Sequence, residues 1–409
     1  MSVDIEHIRA AAVQIADAVI ATPTVEAPRL SAITGADLVL KLENLQHTGS
    51  FKVRGALVKL LSLDPIACSR GVIAVSAGNH AQGVAYHARR LGIPATIVMP
   101  RTTPFTKIDR TAALGAKVVL EGEDLTGASD YAHRLAAAEG YTFIHPYDDP
   151  SIIAGQGTVA LEMLAAAPDL EAIVVPIGGG GLIAGVATAA RAFNPRIRII
   201  GVQAASYPSM ANHVQGRGIT PAGGSTLAEG IAVKEPGELT GRIIRSCVDD
   251  ILLVTEPMLE RAVNLLATDA RIVAEGAGAA SLAAVLSEPT RFQGRRVGLI
   301  VSGGNIDARI LASILMRGLM RDGRIGRLRV EIPDAPGKLA QVAAAIAEAG
   351  GNIVEIYHQR LFQDVPVTRT DLEIVVETRN GDHLNEIVAR IEAKGLRVQR
   401  LADTAAGTA

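Results

Sequence analysis

Short, almost unbroken runs of Val, Ile, Leu and Ala recur through about residue 320, each followed by a turn and a segment with apolar positions three and four apart. Runs that are apolar at every position, rather than at every second one, are the mark of strands covered on both faces. The pattern predicts strands over residues 36–43, 71–75, 95–99, 117–120, 141–145, 172–176, 197–202, 251–254 and 297–301. Between them it predicts helices over 2–20, from Lys52 onward, and over 79–91, 105–114, 125–139, 151–164, 182–193, 256–272, 276–286 and 306–320. Such alternation with short turns means a largely parallel sheet sandwiched by helices. Residues 204–238, rich in Gly, Pro and Ser, break the rhythm and read as a long irregular excursion beside a site.

The rhythm changes at Arg321-Asp322-Gly323-Arg324. Beyond it the segments are shorter and more charged: strand 325–332, helix 336–349, strands 352–360 and 371–378, helix 382–392 and strand 396–401. The order βαββαβ is that of a small ferredoxin-like domain. The expected organisation is therefore a large part at 1–322 made of two α/β subdomains, a small domain at 325–402 and a flexible tail at 403–409.

Composition narrows the function by exclusion. A net charge of −2 and an isoelectric point near 6.5 offer no electrostatic footprint for nucleic acid or an anionic membrane. Aromatics make up 3% with no Trp, which leaves little for stacking on bases. The uncharged stretch 172–190 is interrupted by Pro176 and four glycines, so a buried strand, a loop and a helix explain it better than a membrane span. Cys68 and Cys247 form no metal spacing and no disulfide framework. The N-terminus has no secretory pattern, and the expectation is a cytoplasmic protein without a metal centre.

Polar chemistry concentrates in four loops, each after an apolar strand. They are Ser50-Phe51-Lys52, Ser76-Ala77-Gly78-Asn79-His80, Gly178-Gly179-Gly180-Gly181-Leu182 and Ser302-Gly303-Gly304-Asn305. In open α/β sheets, ligands bind beyond the carboxyl ends of strands, where all four sit. Four consecutive glycines opening a helix can turn their amides toward an anion such as a phosphate. A dinucleotide site is the rival, but it wants a spaced Gly pattern early in the chain and an acidic residue about 20 positions on. Here Arg191, Arg196 and Arg198 follow instead. A lysine in an apolar segment, a phosphate-sized glycine nest and two polar loops together suggest a pyridoxal-phosphate site with Lys52 as the covalent attachment point.

These motifs resemble the fold-type-II pyridoxal-phosphate enzymes, and the likeness runs from Thr22 to about Gly318. Lys52-Val53-Arg54-Gly55-Ala56 and Thr226-Leu227-Ala228-Glu229-Gly230-Ile231-Ala232-Val233 are most similar to threonine dehydratases, also called threonine ammonia-lyases. Asp334-Ala335-Pro336-Gly337-Lys338-Leu339 and Gly351-Asn352-Ile353 are similar to ACT regulatory domains. The resemblance implies a tryptophan-synthase-β-like fold, conversion of L-threonine to 2-oxobutanoate and ammonia, and of L-serine to pyruvate. It implies that Lys52 carries the cofactor and takes the Cα proton, that Phe51 packs on its ring, and that Asn79 bonds its 3′-oxygen. Gly178, Gly179, Gly180, Gly181 and Leu182 would hold the phosphate, and Ser302 would face the pyridine nitrogen. Ser76, Asn79 and His80 would grip the substrate carboxylate. A serine at 302, unlike an aspartate, does not keep that nitrogen protonated, which favours rapid loss of a β-hydroxyl.

Asp334, Gly337 and Asn352 would form an amino-acid effector site, and a homotetramer or dimer is implied. Related serine racemases carry a second serine where Ala77 stands, and carboxylates that bind a divalent metal where Gln203 and Ser209 stand; both differences favour a lyase. Serine racemisation or 3-hydroxyaspartate dehydration on the same scaffold is the alternative, and a non-catalytic amino-acid sensor the third reading. Glu275 is left open between a helix-capping carboxylate and a cation-site or supporting role. Asp148-Asp149 reads as a loop and helix cap.

Overall fold

The computed structural model describes residues 3–217, 223–359 and 368–401. The tail expected at 403–409 lies outside them. The chain divides into two compact units, Met1–Ile306 and Asp307–Ala409.

Among the described residues the first unit holds ten strands: β1 (Thr24–Glu26), β2 (Asp37–Leu42), β3 (Val72–Val75), β4 (Ala95–Met99), β5 (Lys117–Leu120), β6 (Thr142–Phe143), β7 (Ala172–Pro176), β8 (Arg198–Ala204), β9 (Asp250–Val254) and β10 (Arg296–Val301). They form a six-stranded sheet in the order β1-β2-β10-β7-β8-β9 and a four-stranded sheet in the order β5-β4-β3-β6. Every pairing is parallel except that of the short edge strand β1 with β2. The apolar runs explain this: β4 and β7 are buried along their whole length, as strands with helices on both faces must be.

The helix Lys52–Leu61 lies between the two sheets' cores, with Leu57 and Val58 in one and Ala56 and Leu60 in the other. It packs on the helix Pro150–Ala166 so closely that a Cβ on Gly155 would fall 2.6 Å from the Gly55 Cα. Glycine at both positions therefore fixes how deeply the start of the Lys52 helix is seated.

The excursion expected at 204–238 contains more order than its composition suggests: the helix Ser209–Val214 and a 3-10 turn at Glu229–Ile231. Gln203 anchors that helix, accepting at 2.9 Å from the Ala211 amide. The strand expected at 141–145 shrinks to β6 because His145 turns back to accept from the Tyr147 and Asp148 amides.

The second unit begins with the helix Ala308–Arg321 and continues through β11 (Ile325–Pro333), β12 (Asn352–Gln359), β13 (Arg369–Glu377) and β14 (Arg397–Arg400). Its antiparallel sheet has the order β12-β13-β11-β14. With the helices Lys338–Glu348 and Gly381–Ala393 it completes the βαββαβ order around Leu328, Val330, Val342, Ile346, Ile374 and Ile387. Among the described residues no helix is long and apolar enough to cross a membrane.

Candidate active site

Lys52 opens its helix, where the chain is pinned to the end of β10. The Phe51 amide donates to the Ser302 carbonyl at 3.2 Å, and Ser50 bridges to Gly303. Lys52 Nζ donates to the Pro146 carbonyl at 2.8 Å and lies 5.3 Å from the centre of the Phe51 ring. Among the described residues no carboxylate forms an ion pair with it. Burial lowers its pKa to about 8, and the more distant charge of Glu275 opposes the shift only in part.

The residue after Pro146, Tyr147, carries the site to the glycines. Its ring lies so close to Gly179 that an added Cβ would sit 2.3 Å from a ring carbon. Gly180 has φ +98°, left-handed, and caps the helix Gly181–Phe193. The first bond of that helix runs from the Ala184 amide to the Gly180 carbonyl, so the amides of the preceding residues point outward at the positive end of a 13-residue helix. Thr240 Oγ1 holds the loop from behind, donating at 2.7 Å to the Gly179 carbonyl. Thr240 is placed in turn by Asp148, which accepts from its amide at 2.9 Å and from the Glu238 amide at 3.1 Å. Asp149 accepts from Ser151 and Ile152 and starts the helix Pro150–Ala166. Both aspartates are caps, as their sequence context suggested.

On the opposite side stands the start of the helix Asn79–Leu91. The Ser76 hydroxyl accepts from the Gly78 amide at 3.1 Å. The His80 ring turns away into the protein, its Nε2 2.9 Å from the Ile144 carbonyl, and burial together with the Lys52 charge lowers its pKa to about 3. Its imidazole is neutral and committed, so only its amide remains to meet a ligand. Asn79 Nδ2 donates to Glu275 Oε1 at 2.7 Å, and Asn79 Oδ1 accepts from Asn305 Nδ2 at 2.7 Å. Glu275 occupies the N-cap position of the helix Gly276–Ser287, yet its side chain caps nothing there. Burial raises its carboxyl to about 7 against the opposing pull of the Asn79 hydrogen bond. Ser302 is 3% exposed, its hydroxyl 3.4 Å from the Ala277 carbonyl.

Lys52, Phe51, Asn79, Ser302 and the glycine loop thus converge through directly linked neighbours. Sequence reasoning missed Tyr147, placed Asn305 in a site loop without a role, and left Glu275 open. The signal for Glu275 was an acid followed by Gly276-Ala277-Gly278-Ala279, an opening to a helix too apolar to spare a charge without purpose.

Behind Lys52 lies a second group the motifs did not reveal. Arg54, fully buried, meets Glu43 at 2.8 and 2.9 Å and Glu162 at 2.6 and 2.9 Å. Lys41 joins Glu162 at 2.6 Å. At the rim, Lys107 pairs with Glu229 at 2.5 Å, bringing the helix Phe105–Ala113 onto the segment 226–233.

In the second unit Gly337, at φ +87°, caps the helix Lys338–Glu348. The Asp334 amide donates to Thr368 at 3.0 Å, and Asn352 Nδ2 donates to Glu377 at 3.2 Å. Among the described residues no group of three or more His, Cys, Asp or Glu could hold a metal ion.

The family profile described as pyridoxal-phosphate dependent enzyme matches residues 15–303. An L-threonine ammonia-lyase from Thermotoga maritima is 45% identical over 90% of this chain and 92% of its own. A threonine deaminase from T.th. is 42% identical, covers 74% of this chain and 99% of its own, and superposes with a TM-score of 0.71. Maize serine racemase is 35% identical, covers 78% of this chain and 99% of its own, with a TM-score of 0.73. The local chemistry fits the cofactor these matches imply. An amine lowered to about 8 suits covalent attachment, and a loop that a Cβ would block, ending on a helix N-terminus, suits a phosphate. The chain belongs to the fold-type-II pyridoxal-phosphate dependent enzymes.

Proposed function

We propose that this chain is a threonine ammonia-lyase, converting L-threonine to 2-oxobutanoate and ammonia, and L-serine to pyruvate. The observation that carries the reading is Lys52: an amine held by a carbonyl rather than a carboxylate, one residue's reach from the glycine loop. The two relatives named for threonine chemistry support the substrate class.

Bound pyridoxal phosphate supplies the electron sink for the pair left at Cα. Every other contribution comes from the chain. Gly178 through Leu182 would bind the phosphate with their amides, and Phe51 would pack on the ring. Asn79 would donate to the ring oxygen. Ser302 would meet the ring nitrogen with a neutral hydroxyl. The amides at the start of the helix Asn79–Leu91, with the Ser76 hydroxyl, would orient the substrate carboxylate. His80 would contribute its amide alone. Lys52, whose burial eases the loss of its ammonium proton, would take the Cα proton. Ala77 brings no group able to deliver a proton to the opposite face, so elimination outruns racemisation.

The partner chemistry follows the same reading. The βαββαβ body of the second unit, from Ile325 to Leu401, would be an ACT-like regulatory domain. An amino-acid effector would bind near Asp334, Gly337 and Asn352, and copies of the chain would assemble into a dimer or tetramer. The test is a panel of hydroxy-amino acids scored for keto acid and ammonia, with and without branched-chain amino acids. Threonine and serine should be consumed, Lys52→Ala should abolish turnover, and mass spectrometry after borohydride reduction should place the pyridoxyl group on Lys52. A pyridoxyl group on another lysine, or no keto acid from either substrate, would refute the reading.

A further inference from the structure

An asparagine side chain has two orientations that differ only by exchange of oxygen and nitrogen. At Asn79 the surroundings decide between them. The chain of contacts begins at the Thr48 carbonyl, which can only accept. The Asn305 atom 2.7 Å from it must therefore be Nδ2, a donor. The same Nδ2 spends its other hydrogen on Asn79 at 2.7 Å, so the Asn79 atom facing it must be Oδ1. Nδ2 of Asn79 then falls on the far side, 2.7 Å from Glu275 Oε1. An amide nitrogen has two hydrogens, and Glu275 accepts one. The second has no acceptor among the described residues and is left for the site.

The backbone leaves room for this arrangement and little else. A Cβ on Gly303 would sit 2.6 Å from Glu275 Oε1, and one on Gly230 would sit 3.3 Å from it. Two loops remote in sequence thus make space for one carboxylate to reach one amide.

We propose that Asn305 and Glu275 are positioning residues that lock the Asn79 carboxamide with its Nδ2 hydrogen aimed into the site as a donor to the cofactor's ring oxygen. The proposal rests on the reading of Asn79 as the ring-oxygen contact. It gives the last residue of the Ser302-Gly303-Gly304-Asn305 motif a task, and it makes Glu275 the far anchor of the lock.

The experiment reads the visible absorption band of the bound cofactor and its dissociation constant, alongside urea stability. Asn79→Ala tests the underlying contact: it should shift the band and weaken cofactor binding about tenfold, the effect of one lost hydrogen bond. Asn305→Asp replaces a donor with an acceptor, so the Asn79 amide turns over and points its oxygen at Glu275; it should shift the band, weaken the cofactor and destabilise the fold. Asn305→Ala removes the lock without adding charge and should show a smaller shift in the same direction. Asn305→Asp with Glu275→Gln reverses the polarity between Asn79 and residue 275, since the introduced glutamine amide can donate to the overturned oxygen, while the Thr48 carbonyl is still left facing an acceptor. In that pair stability should recover in part relative to Asn305→Asp while the band stays shifted. If stability and band recover together, or if both Asn305 variants keep the wild-type band while Asn79→Ala does not, the lock is wrong and the Asn79 contact stands. If Asn79→Ala itself leaves band and affinity unchanged, the ring-oxygen reading fails and takes the proposal with it.

Discussion

Replacing Arg54 by methionine should destabilise the first unit by about 3–5 kcal/mol, the cost of stranding a buried charge. Arg54 is fully buried, as is Glu43, and its guanidinium forms a two-pronged contact with Glu43 and a second with Glu162. Thr158 Oγ1 at 3.1 Å and the Ile20 carbonyl at 3.2 Å complete its donors. Methionine fills a similar volume, so cavity formation is a minor part of the loss. What remains is Glu43 with one neutral partner, the Thr22 hydroxyl at 2.5 Å. Glu162 fares better, since Lys41 stays at 2.6 Å and a quarter of its side chain, 26%, reaches solvent. Adding Glu43→Gln should therefore recover most of the loss, because the pair Lys41–Glu162 is neutral by itself. Lysine at position 54 should fail almost as badly as methionine, since one ammonium cannot serve two carboxylates in fork geometry. The assay is urea unfolding followed by the visible band of the bound cofactor, which reports on this unit alone. With a slope of roughly 3 kcal/mol per M, Arg54→Met should lower the midpoint by about 1–1.7 M. Equal midpoints for Arg54→Met and Arg54→Met/Glu43→Gln would refute the reasoning, for then the stranded carboxylate is not what the single variant suffers from.

Cofactor attachment to apoenzyme should accelerate with pH until about 8 and then level off, because Lys52 titrates there; a lysine at its ordinary 10.5 would keep gaining about tenfold per unit well past pH 9, and stopped-flow absorption separates the two. The sign follows from neutral amine being the attacking form, so protons slow the step below about 8. Lys107→Glu and Glu229→Lys should each raise KM for threonine and lower kcat/KM by about two- to fivefold, the range of an exposed pair, and the double swap should restore both; no recovery in the swap would show that the pair does not hold the rim. Ala77→Ser should raise the share of D-serine formed from L-serine during turnover, measured by chiral chromatography, and an unchanged share would mean that a group other than residue 77 limits racemisation.

How legible the chain was depends on what each feature relies on. Strands β4 and β7 lie where the apolar pattern put them to the residue, because burial on both faces leaves no polar position to blur the ends. The half-exposed β5 and the helix Leu125–Glu139, bounded by Asp124 and Gly140, match as well. The helices Pro28–Thr34 and Pro65–Arg70 escaped, although Pro at the first turn and Gly just past the end signalled each. They are too short for periodicity to speak. β1 escaped because three residues of antiparallel edge carry no pattern. The site divides the same way. Lys52, Asn79 and the glycine loop announce themselves because each needs local backbone chemistry. Asn305 meets Asn79 across 226 residues, and Arg54 meets Glu162 across 108, pairings that no local pattern encodes. A charged residue inside an apolar run was nevertheless a readable demand for a partner, as at Lys41 within Leu38-Val39-Leu40-Lys41-Leu42.

That demand explains why Lys52, and not Lys41, is the reactive amine. Both lie in apolar surroundings, and burial lowers the pKa of both. Lys41 meets a carboxylate oxygen of Glu162 and the Thr22 carbonyl, each at 2.6 Å, so its proton is held from two sides. Among the described residues the Pro146 carbonyl is the one hydrogen-bond partner of Lys52, and the carboxyl that acts on it from a distance, Glu275, is itself raised to about 7 and engaged by Asn79. Two charges must be neutralised to seat the Lys52 helix against the core, those of Lys41 and Arg54, and Glu43 and Glu162 neutralise both. Those two acids are thereby engaged behind the helix, and among the described residues no carboxylate forms an ion pair with its first residue. A lysine that cannot keep its proton cheaply is a nucleophile and a base. The ion pairs that stabilise the scaffold and the amine that performs the chemistry are two results of one distribution of these four charges.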